Sequence, residues 1–225
     1  MKTTIPVTFQ SDGLALKGVL HLPDIEQPPL VIGCHGLLST GDSPKQIALA
    51  DRCNDAGIAY FRFDHRGCGA SQGVFETDTS LQARCNDLLS ALQTIQAMDM
   101  TTEKIGVFGS SMGGAVCLAF ASVHPVASVI TFAALYQSSG IIDRPQMDLR
   151  FDLTESLSKL HHILIFHGDR DEVVPVSQAK TIYERARFPK KIILQKGGDH
   201  RMSDGAHQAS FVRDAVRWYV ESFGL

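Results

Sequence analysis

Residues Gly109-Ser110-Ser111-Met112-Gly113 decide how the rest of the chain is interpreted. They stand between an apolar run that ends in Gly106-Val107-Phe108 and a helix-like run from Gly114 to Ala119. This context suits a sharp strand-to-helix turn that pushes one serine hydroxyl out of the backbone, because small flanking residues permit the close approach. Ser111 is therefore a candidate nucleophile, whereas Ser110 is expected to point elsewhere.

Short apolar runs on both sides of this turn predict a sheet. The first two form an antiparallel hairpin, because they flank the turn residues Ser11-Asp12-Gly13. The later runs alternate with helical patterns, which favours parallel pairing through right-handed crossovers. The predicted strands are Ile5–Phe9, Leu14–Leu20, Leu30–Cys34, Ile58–Phe63, Lys104–Phe108, Ala127–Phe132, Ile163–Phe166 and Lys191–Gln195.

Helices are predicted in the gaps, on both faces of this sheet. The clearest spans Thr79 to Met98 and places Leu81, Cys85, Leu88, Leu92 and Ile95 on one apolar face. The last, from Gly205 to Ser222, places Val212, Val216, Tyr219 and Phe223 on one face. Others are predicted over 44–56, after Ser111 and over 177–187. The fold class is therefore α/β, with about eight mostly parallel strands.

Length and composition favour one domain of ordinary globular character. The chain has 225 residues, 44% of them apolar, and a net charge of −3. Without a basic balance, nucleic acid is not an expected partner. Its first residues lack the apolar core of a signal peptide, no run is long enough to span a bilayer, and its five cysteines are scattered. We therefore expect a cytoplasmic protein with reduced cysteines. Its oligomeric state cannot be inferred.

Several polar motifs follow predicted strands, so they are expected to meet at the carboxyl edge of the sheet. A serine hydroxyl needs a base during attack, and an imidazole titrates near neutrality. His200 follows the last strand and is the candidate base, oriented by a carboxylate. Asp169, Asp171 and Glu172 all lie in the loop after 163–166, and local reasoning leaves all three open. Serine, acid and histidine then follow in the order expected for this kind of turn.

The whole chain resembles the α/β-hydrolase family, nearest to its serine esterase, acylglycerol lipase and feruloyl esterase branch. The resemblance implies that the acid is Asp171, from the pattern H-G-x-x-D. It also implies an oxyanion hole formed by the backbone N–H groups of Met112 and Leu37. The motifs that carry it are His35-Gly36, Asp64-His65-Arg66-Gly67-Cys68-Gly69-Ala70-Ser71, Gly109–Gly113, His167-Gly168-Asp169-Arg170-Asp171 and Gly198-Asp199-His200.

The expected function is hydrolysis of carboxylic esters through an acyl-enzyme, with no cofactor or metal and a small-molecule ester as partner. An aminopeptidase-like amidase or a thioesterase could use the same residues, and a ligand-binding protein without turnover is a rival from another class. A single domain over 1–225 leaves space for only a short cap-like segment near 134–158, beside one packing helix before His162. A small cap favours small or accessible esters, with Leu135, Tyr136, Ile141 and Ile142 as candidate lining.

Other polar residues have plain structural interpretations. His35 is expected to shape the oxyanion loop, and Asp64 and Arg66 to brace loops at the sheet edge. The adjacent His161 and His162 precede a strand. Neighbours on an extended chain point to opposite faces, so the pair is not expected to share a metal ion.

Overall fold

The computed structural model describes residues 3–142 and 144–225 and is built around one sheet. Eight strands within these residues form it, in the spatial order β1-β2-β4-β3-β5-β6-β7-β8. From β4 onward all neighbouring strands run parallel, as the alternating pattern predicts. The strands are β1 (Thr3–Ser11), β2 (Leu14–Leu22), β3 (Leu30–Cys34), β4 (Ala59–Phe63), β5 (Ile105–Ser110), β6 (Ser128–Phe132), β7 (Ile163–Gly168) and β8 (Lys190–Gln195).

The predicted N-terminal hairpin is confirmed, with longer strands than the sequence indicates. β1 and β2 pair antiparallel from Thr3 opposite Leu22 to Ser11 opposite Leu14. Asp12 and Gly13 make the turn with φ of 48° and 81°, the left-handed conformation that tight hairpins use. β2 also pairs antiparallel with β4, so the hairpin extends the parallel sheet at one edge.

Helices cover both faces of the sheet, which confirms the predicted fold class. On one face, α1 and α6 pack through Leu49, Phe211 and Tyr219. On the other, α3, α4 and α5 pack through Leu88, Val116 and other buried side chains. The helices are α1 (Pro44–Asp55), α2 (Phe75–Asp78), α3 (Leu81–Ala97), α4 (Met112–Ala121), α5 (Ser177–Arg185) and α6 (Gly205–Phe223).

The buried stripe of α6 differs in part from the prediction. Phe211 and Ala215 are fully buried together with Tyr219 and Phe223, so the stripe repeats every four residues. Val212 and Val216 are only partly buried. The large Phe211 ring occupies the core instead, packing on the rings of Phe108, Phe132 and Phe166.

The predicted packing helix between β6 and β7 is wrong. In the described part of residues 133–162, the regular structure is a 3₁₀ helix, Leu157–Lys159, and an isolated bridge between Gln137 and Asp152. This segment is held by apolar packing instead. Leu135, Met147 and Leu149 form a small cluster with Met112, Ala115 and Val174. The segment is thereby seated on the first turn of α4.

Each of the five cysteines is a free thiol. No helix in the described ranges is both long enough and apolar enough to span a membrane.

Candidate active site

Ser111 occupies a strained turn between β5 and α4. Its φ of 52° and ψ of −121° are rare for a residue with a side chain, and such a conformation costs about 1–3 kcal/mol. The Ser111 N–H donates to the Phe132 carbonyl at 2.8 Å, which ties the turn to β6. A Cβ at Gly109 would collide with Gly113, and one at Gly113 with the Cys34 carbonyl. The two glycines of the motif are therefore steric requirements of this turn.

His200 and Asp171 meet in the loops after β8 and β7. His200 Nδ1 lies 2.8 Å from Asp171 Oδ2 and 3.0 Å from Oδ1, and the carboxylate is fully buried. The other two candidate acids have different contacts. Asp169 accepts the Gly197 N–H at 2.6 Å, and Glu172 accepts the backbone N–H of His200 at 3.1 Å. Asp171 alone of the three contacts the imidazole.

The environment of Asp171 keeps its carboxylate charged. Burial by itself would raise the pKa of Asp171, but hydrogen bonds from His200, Val174 and Val173 outweigh it, so the pKa lies below the usual aspartate value. Behind it, His167 Nε2 donates to the Val174 carbonyl at 2.8 Å. Burial lowers the pKa of His167, which favours a neutral ring there. The charged carboxylate fixes His200 as the Nδ1–H tautomer and leaves Nε2 able to accept a proton.

The two predicted oxyanion donors lie on the same cavity as Ser111 and His200. Met112 is the first residue of α4, where backbone N–H groups have no acceptor within the helix. Leu37 follows β3 in a loop that runs beside the serine turn. A Cβ built on Gly36 would be only 3.7 Å from Ser111 Cβ.

This loop is held from behind by Arg84, which sequence reasoning missed. The side chain is fully buried, and its guanidinium donates to the carbonyls of Gly36 at 3.3 Å and Leu37 at 3.2 Å. His35 adds a second tie: its Nε2 accepts the His65 N–H at 3.0 Å, so Nδ1 carries the proton and donates to the Gly36 carbonyl at 2.7 Å. With its carbonyls turned inward, the loop can present N–H groups to the cavity.

A second missed residue, Asp87, anchors the loop after β4. Its carboxylate is fully buried and accepts hydrogen bonds from Arg66 at 2.7 and 2.9 Å, Ser11 at 2.8 Å and His65 at 3.2 Å. Burial alone would raise the pKa of Asp87, but the bonds from His65 and Arg66 outweigh it and hold the pKa far below the usual value. Asp64 also braces this region by accepting the Gly41 N–H at 2.8 Å.

The cavity over Ser111 has a volume of about 760 Å³. Of the predicted lining residues, Leu135, Ile141 and Ile142 line it. Tyr136 does not, because its ring packs against the main core. Four charged side chains also line the cavity: Lys45, Arg144, Glu172 and Arg201. Of these, the sequence indicated only Glu172, as a candidate acid.

The prediction that the side chains of His161 and His162 point to opposite faces is wrong. Their Nδ1 atoms lie 2.8 Å apart rather than on opposite faces. The φ of His162 is 50°, so the backbone is not extended there. Among the residues the structure describes, no group of three or more histidine, cysteine or acidic side chains could hold a metal ion.

Sequence comparison finds a family match and distant relatives. The family model described as serine aminopeptidase, S33, matches residues 26–158, more than half of the chain, which include the Ser111 turn. YfhR from Salmonella typhi is 25% identical over 85% of this chain and 71% of its own length. The mitochondrial palmitoyl-protein thioesterase ABHD10 of Rattus norvegicus is 25% identical over 79% of this chain and 71% of its own length.

Solved structures share the fold over nearly the whole chain. Est1E from Butyrivibrio proteoclasticus, solved with ferulic acid bound, superposes with a TM-score of 0.84 at 21% identity and covers 97% of this chain and 100% of its own. Mouse α/β hydrolase domain-containing protein 10 superposes with a TM-score of 0.74 at 21% identity, covering 96% and 99%. The family match and this fold together show that the chain is an α/β-hydrolase and belongs to the family described as serine aminopeptidase, S33.

Proposed function

We propose that this protein is a serine hydrolase that cleaves carboxylic esters through an acyl-enzyme intermediate. The observation that carries the proposal is the 2.8 Å contact between His200 Nδ1 and the buried Asp171, on a cavity that Ser111 and His200 both line. Membership of an α/β-hydrolase family supports hydrolysis as the reaction class. The serine, acid and histidine roles are our assignment.

In the first half of the reaction, Ser111 Oγ attacks the ester carbonyl carbon while its proton passes to His200 Nε2. Asp171 stabilises the resulting imidazolium. The carbonyl oxygen becomes an oxyanion and accepts hydrogen bonds from the N–H groups of Met112 and Leu37. One such donor contributes about 3 kcal/mol to lowering the barrier. The C–O bond to the leaving alcohol then breaks, and Nε2 returns its proton to that oxygen.

In the second half, water replaces the alcohol. His200 Nε2 takes a proton from the water as its oxygen attacks the acyl carbon, and the same two N–H groups bind the new oxyanion. Collapse releases the carboxylic acid and restores the Ser111 hydroxyl with the proton from His200. These steps need no cofactor. The apolar side chains of Leu135, Ile141 and Ile142 are suited to the acyl group.

A thioesterase is the second candidate, because a relative at 25% identity is named as a palmitoyl-protein thioesterase. The same serine and oxyanion donors would serve, with a thiol as the leaving group. An amidase would need more help for its leaving amine, which is a poorer leaving group than an alcohol. We favour esters because the cavity is lined by few side chains from the short 134–158 segment, which leaves the serine accessible.

The test uses an activated ester and a fluorophosphonate probe on the intact protein. We expect turnover of the ester and labelling of one serine. Ser111→Ala should abolish both and leave the fold intact, whereas the neighbouring Ser110→Ala, the matched control, should retain labelling at Ser111. Substantial turnover by Ser111→Ala would mean another nucleophile. A folded wild-type protein inert to both reagents would favour a ligand-binding role instead.

A further inference from the structure

The wall of the catalytic cavity carries more positive than negative charge. Lys45 from the start of α1, Arg144 from the 134–158 segment and Arg201 from the loop after β8 line it, against one carboxylate, Glu172. Glu172 already accepts the His200 N–H at 3.1 Å. In the part of the chain that the structure describes, none of the three cations forms a salt bridge. The cavity is therefore suited to an anion.

Lys45 is the most constrained of these cations. It is half-buried, its Nζ donates to the Arg201 carbonyl at 2.8 Å, and Nζ lies 5.2 Å from the centre of the Phe132 ring. An ammonium has three donors, so this one hydrogen bond leaves others for a ligand. Nearby Asp199 is turned toward the Ser203 N–H, which it accepts at 2.8 Å. Asp199 attracts the Lys45 ammonium but forms no salt bridge with it among the described residues. A partly desolvated cation without a salt-bridge partner gains from binding an anion that enters the cavity.

The position of this cation indicates which part of the substrate it meets. Arg201 directly follows His200, and its carbonyl holds the Lys45 ammonium. His200 has to protonate the leaving oxygen, so groups beside it lie on the leaving-group side. Arg144 comes from a different part of the chain, the 134–158 segment that also carries Ile141 and Ile142, and its guanidinium lies 6.0 Å from the centre of the Phe75 ring.

We propose that the preferred substrate is an ester whose leaving alcohol carries a negative charge, a carboxylate or a phosphate, which Lys45 and Arg201 bind. This inference rests on the proposed function and adds the charge of the substrate to it. The acyl part remains uncharged and contacts the apolar side chains of Leu135, Ile141 and Ile142.

The test compares matched pairs of esters at low and high salt. The butanoate ester of 3-hydroxybenzoate carries the anion on its leaving group, and that of 3-hydroxybenzamide is its neutral counterpart. We expect kcat/KM to be about tenfold higher for the anionic ester, the advantage of one charge-assisted hydrogen bond in a partly open site. Added sodium chloride should reduce this ratio by screening.

Two variants test whether Lys45 is responsible for the preference for an anionic leaving group. Lys45→Met should move the ratio of kcat/KM for the two esters close to one. Lys191→Met removes the same charge from an exposed position on β8, outside the cavity, and should leave the ratio as in the wild type. A second pair, phenyl hydrogen succinate and phenyl succinamate, carries the charge difference in the acyl part instead.

The outcomes separate this inference from the function it rests on. Turnover of both butanoate esters at equal kcat/KM would overturn it while leaving the ester hydrolase intact. A charge preference found only with the succinate pair would overturn the leaving-group assignment. Failure to hydrolyse any of the four esters, together with no labelling by the fluorophosphonate, would remove the proposed function and this inference with it.

Discussion

At the scale of single residues, the structure distinguishes three candidate acids that the local sequence leaves equivalent. Asp169, Asp171 and Glu172 lie within four positions of one loop, and any of them could face a histidine by sequence distance. The fold gives each a different partner: a glycine N–H, the imidazole and the His200 backbone, respectively. Since the side chain of Asp171 is also fully buried, its charge is the least screened of the three.

Substitutions at Asp171 and at its neighbour Asp169 should have different effects on kcat. Asp171→Asn keeps the shape but removes the charge that stabilises the His200 imidazolium, so kcat on an activated ester should fall by about 10³- to 10⁴-fold. Asp169→Asn is the matched control, because an amide oxygen can still accept the Gly197 N–H. Its kcat should stay within about threefold of the wild type. Equal losses in the two variants would contradict the assignment of Asp171.

At the scale of elements, α3 does more than pack on the sheet. Its five predicted apolar residues account for only part of the buried face, because Arg84 and Asp87 are fully buried beside them. A charged residue next to an apolar stripe is ordinarily assigned to solvent, which is why the sequence did not reveal them. The available signal was their spacing: positions 84 and 87 fall between 81, 85 and 88 on the same side of the helix.

Arg84 is a positioning residue for the oxyanion loop, so its replacement should act on kcat. Arg84→Met removes the donors to the Gly36 and Leu37 carbonyls, and the loop N–H groups should lose their alignment. We expect kcat to fall about tenfold to a hundredfold with little change in KM, less than the loss of a whole oxyanion donor.

The control for this variant is Arg84→Lys, which keeps one cationic donor and should recover part of the rate. Rates are expressed per active site, titrated with the fluorophosphonate, so a loss of folded protein does not count as a loss of kcat. A purely structural role would reduce the number of active sites and leave kcat per site unchanged.

At the scale of the whole molecule, the sheet was the predictable part. Eight apolar runs correspond to the eight described strands, and β3 matches its prediction residue for residue. A strand that is buried on both faces is a short, continuous apolar run, so it can be recognised from a few neighbouring residues of the sequence. The link from β6 to β7 was not predictable in this way. Its Leu135, Met147 and Leu149 are buried by long-range packing on α4 rather than by a helical period.

The site was predictable to the extent that its residues follow strands. Ser111, His200 and the loop that carries the acid could be proposed because parallel strands bring their carboxyl ends to one edge. Within that loop, the resemblance to the α/β-hydrolases implied Asp171, whereas local reasoning left three candidates. The positively charged residues of the cavity could not be predicted from the sequence, because Lys45 and Arg201 are 156 positions apart and come together only in the fold. Tyr136 was assigned to the lining as an apolar residue of the 134–158 segment, but its side chain packs against the main core instead.

The Asp87 cluster joins distant parts of the fold and should govern its stability in acid. Its carboxylate binds Ser11 at the hairpin end and Arg66 after β4. Because the pKa of Asp87 is lower in the folded than in the unfolded chain, its contribution is complete above the unfolded value, about 3.9, and is lost as the pH falls toward the folded value. The free energy of unfolding should therefore decrease below about pH 4.

Asp87→Asn tests this link between charge and stability. Leaving Arg66 and His65 without the carboxylate should lower the free energy of unfolding at neutral pH by about 3 kcal/mol, as for other broken buried ion pairs. Urea unfolding followed between neutral pH and pH 3 should also show a shallower decline for Asp87→Asn than for the wild type. Asp214→Asn, which removes an exposed pair with Arg213, should cost less than about 1 kcal/mol and keep the wild-type decline. A wild-type slope in Asp87→Asn would mean that other carboxylates control the acid limit of the fold.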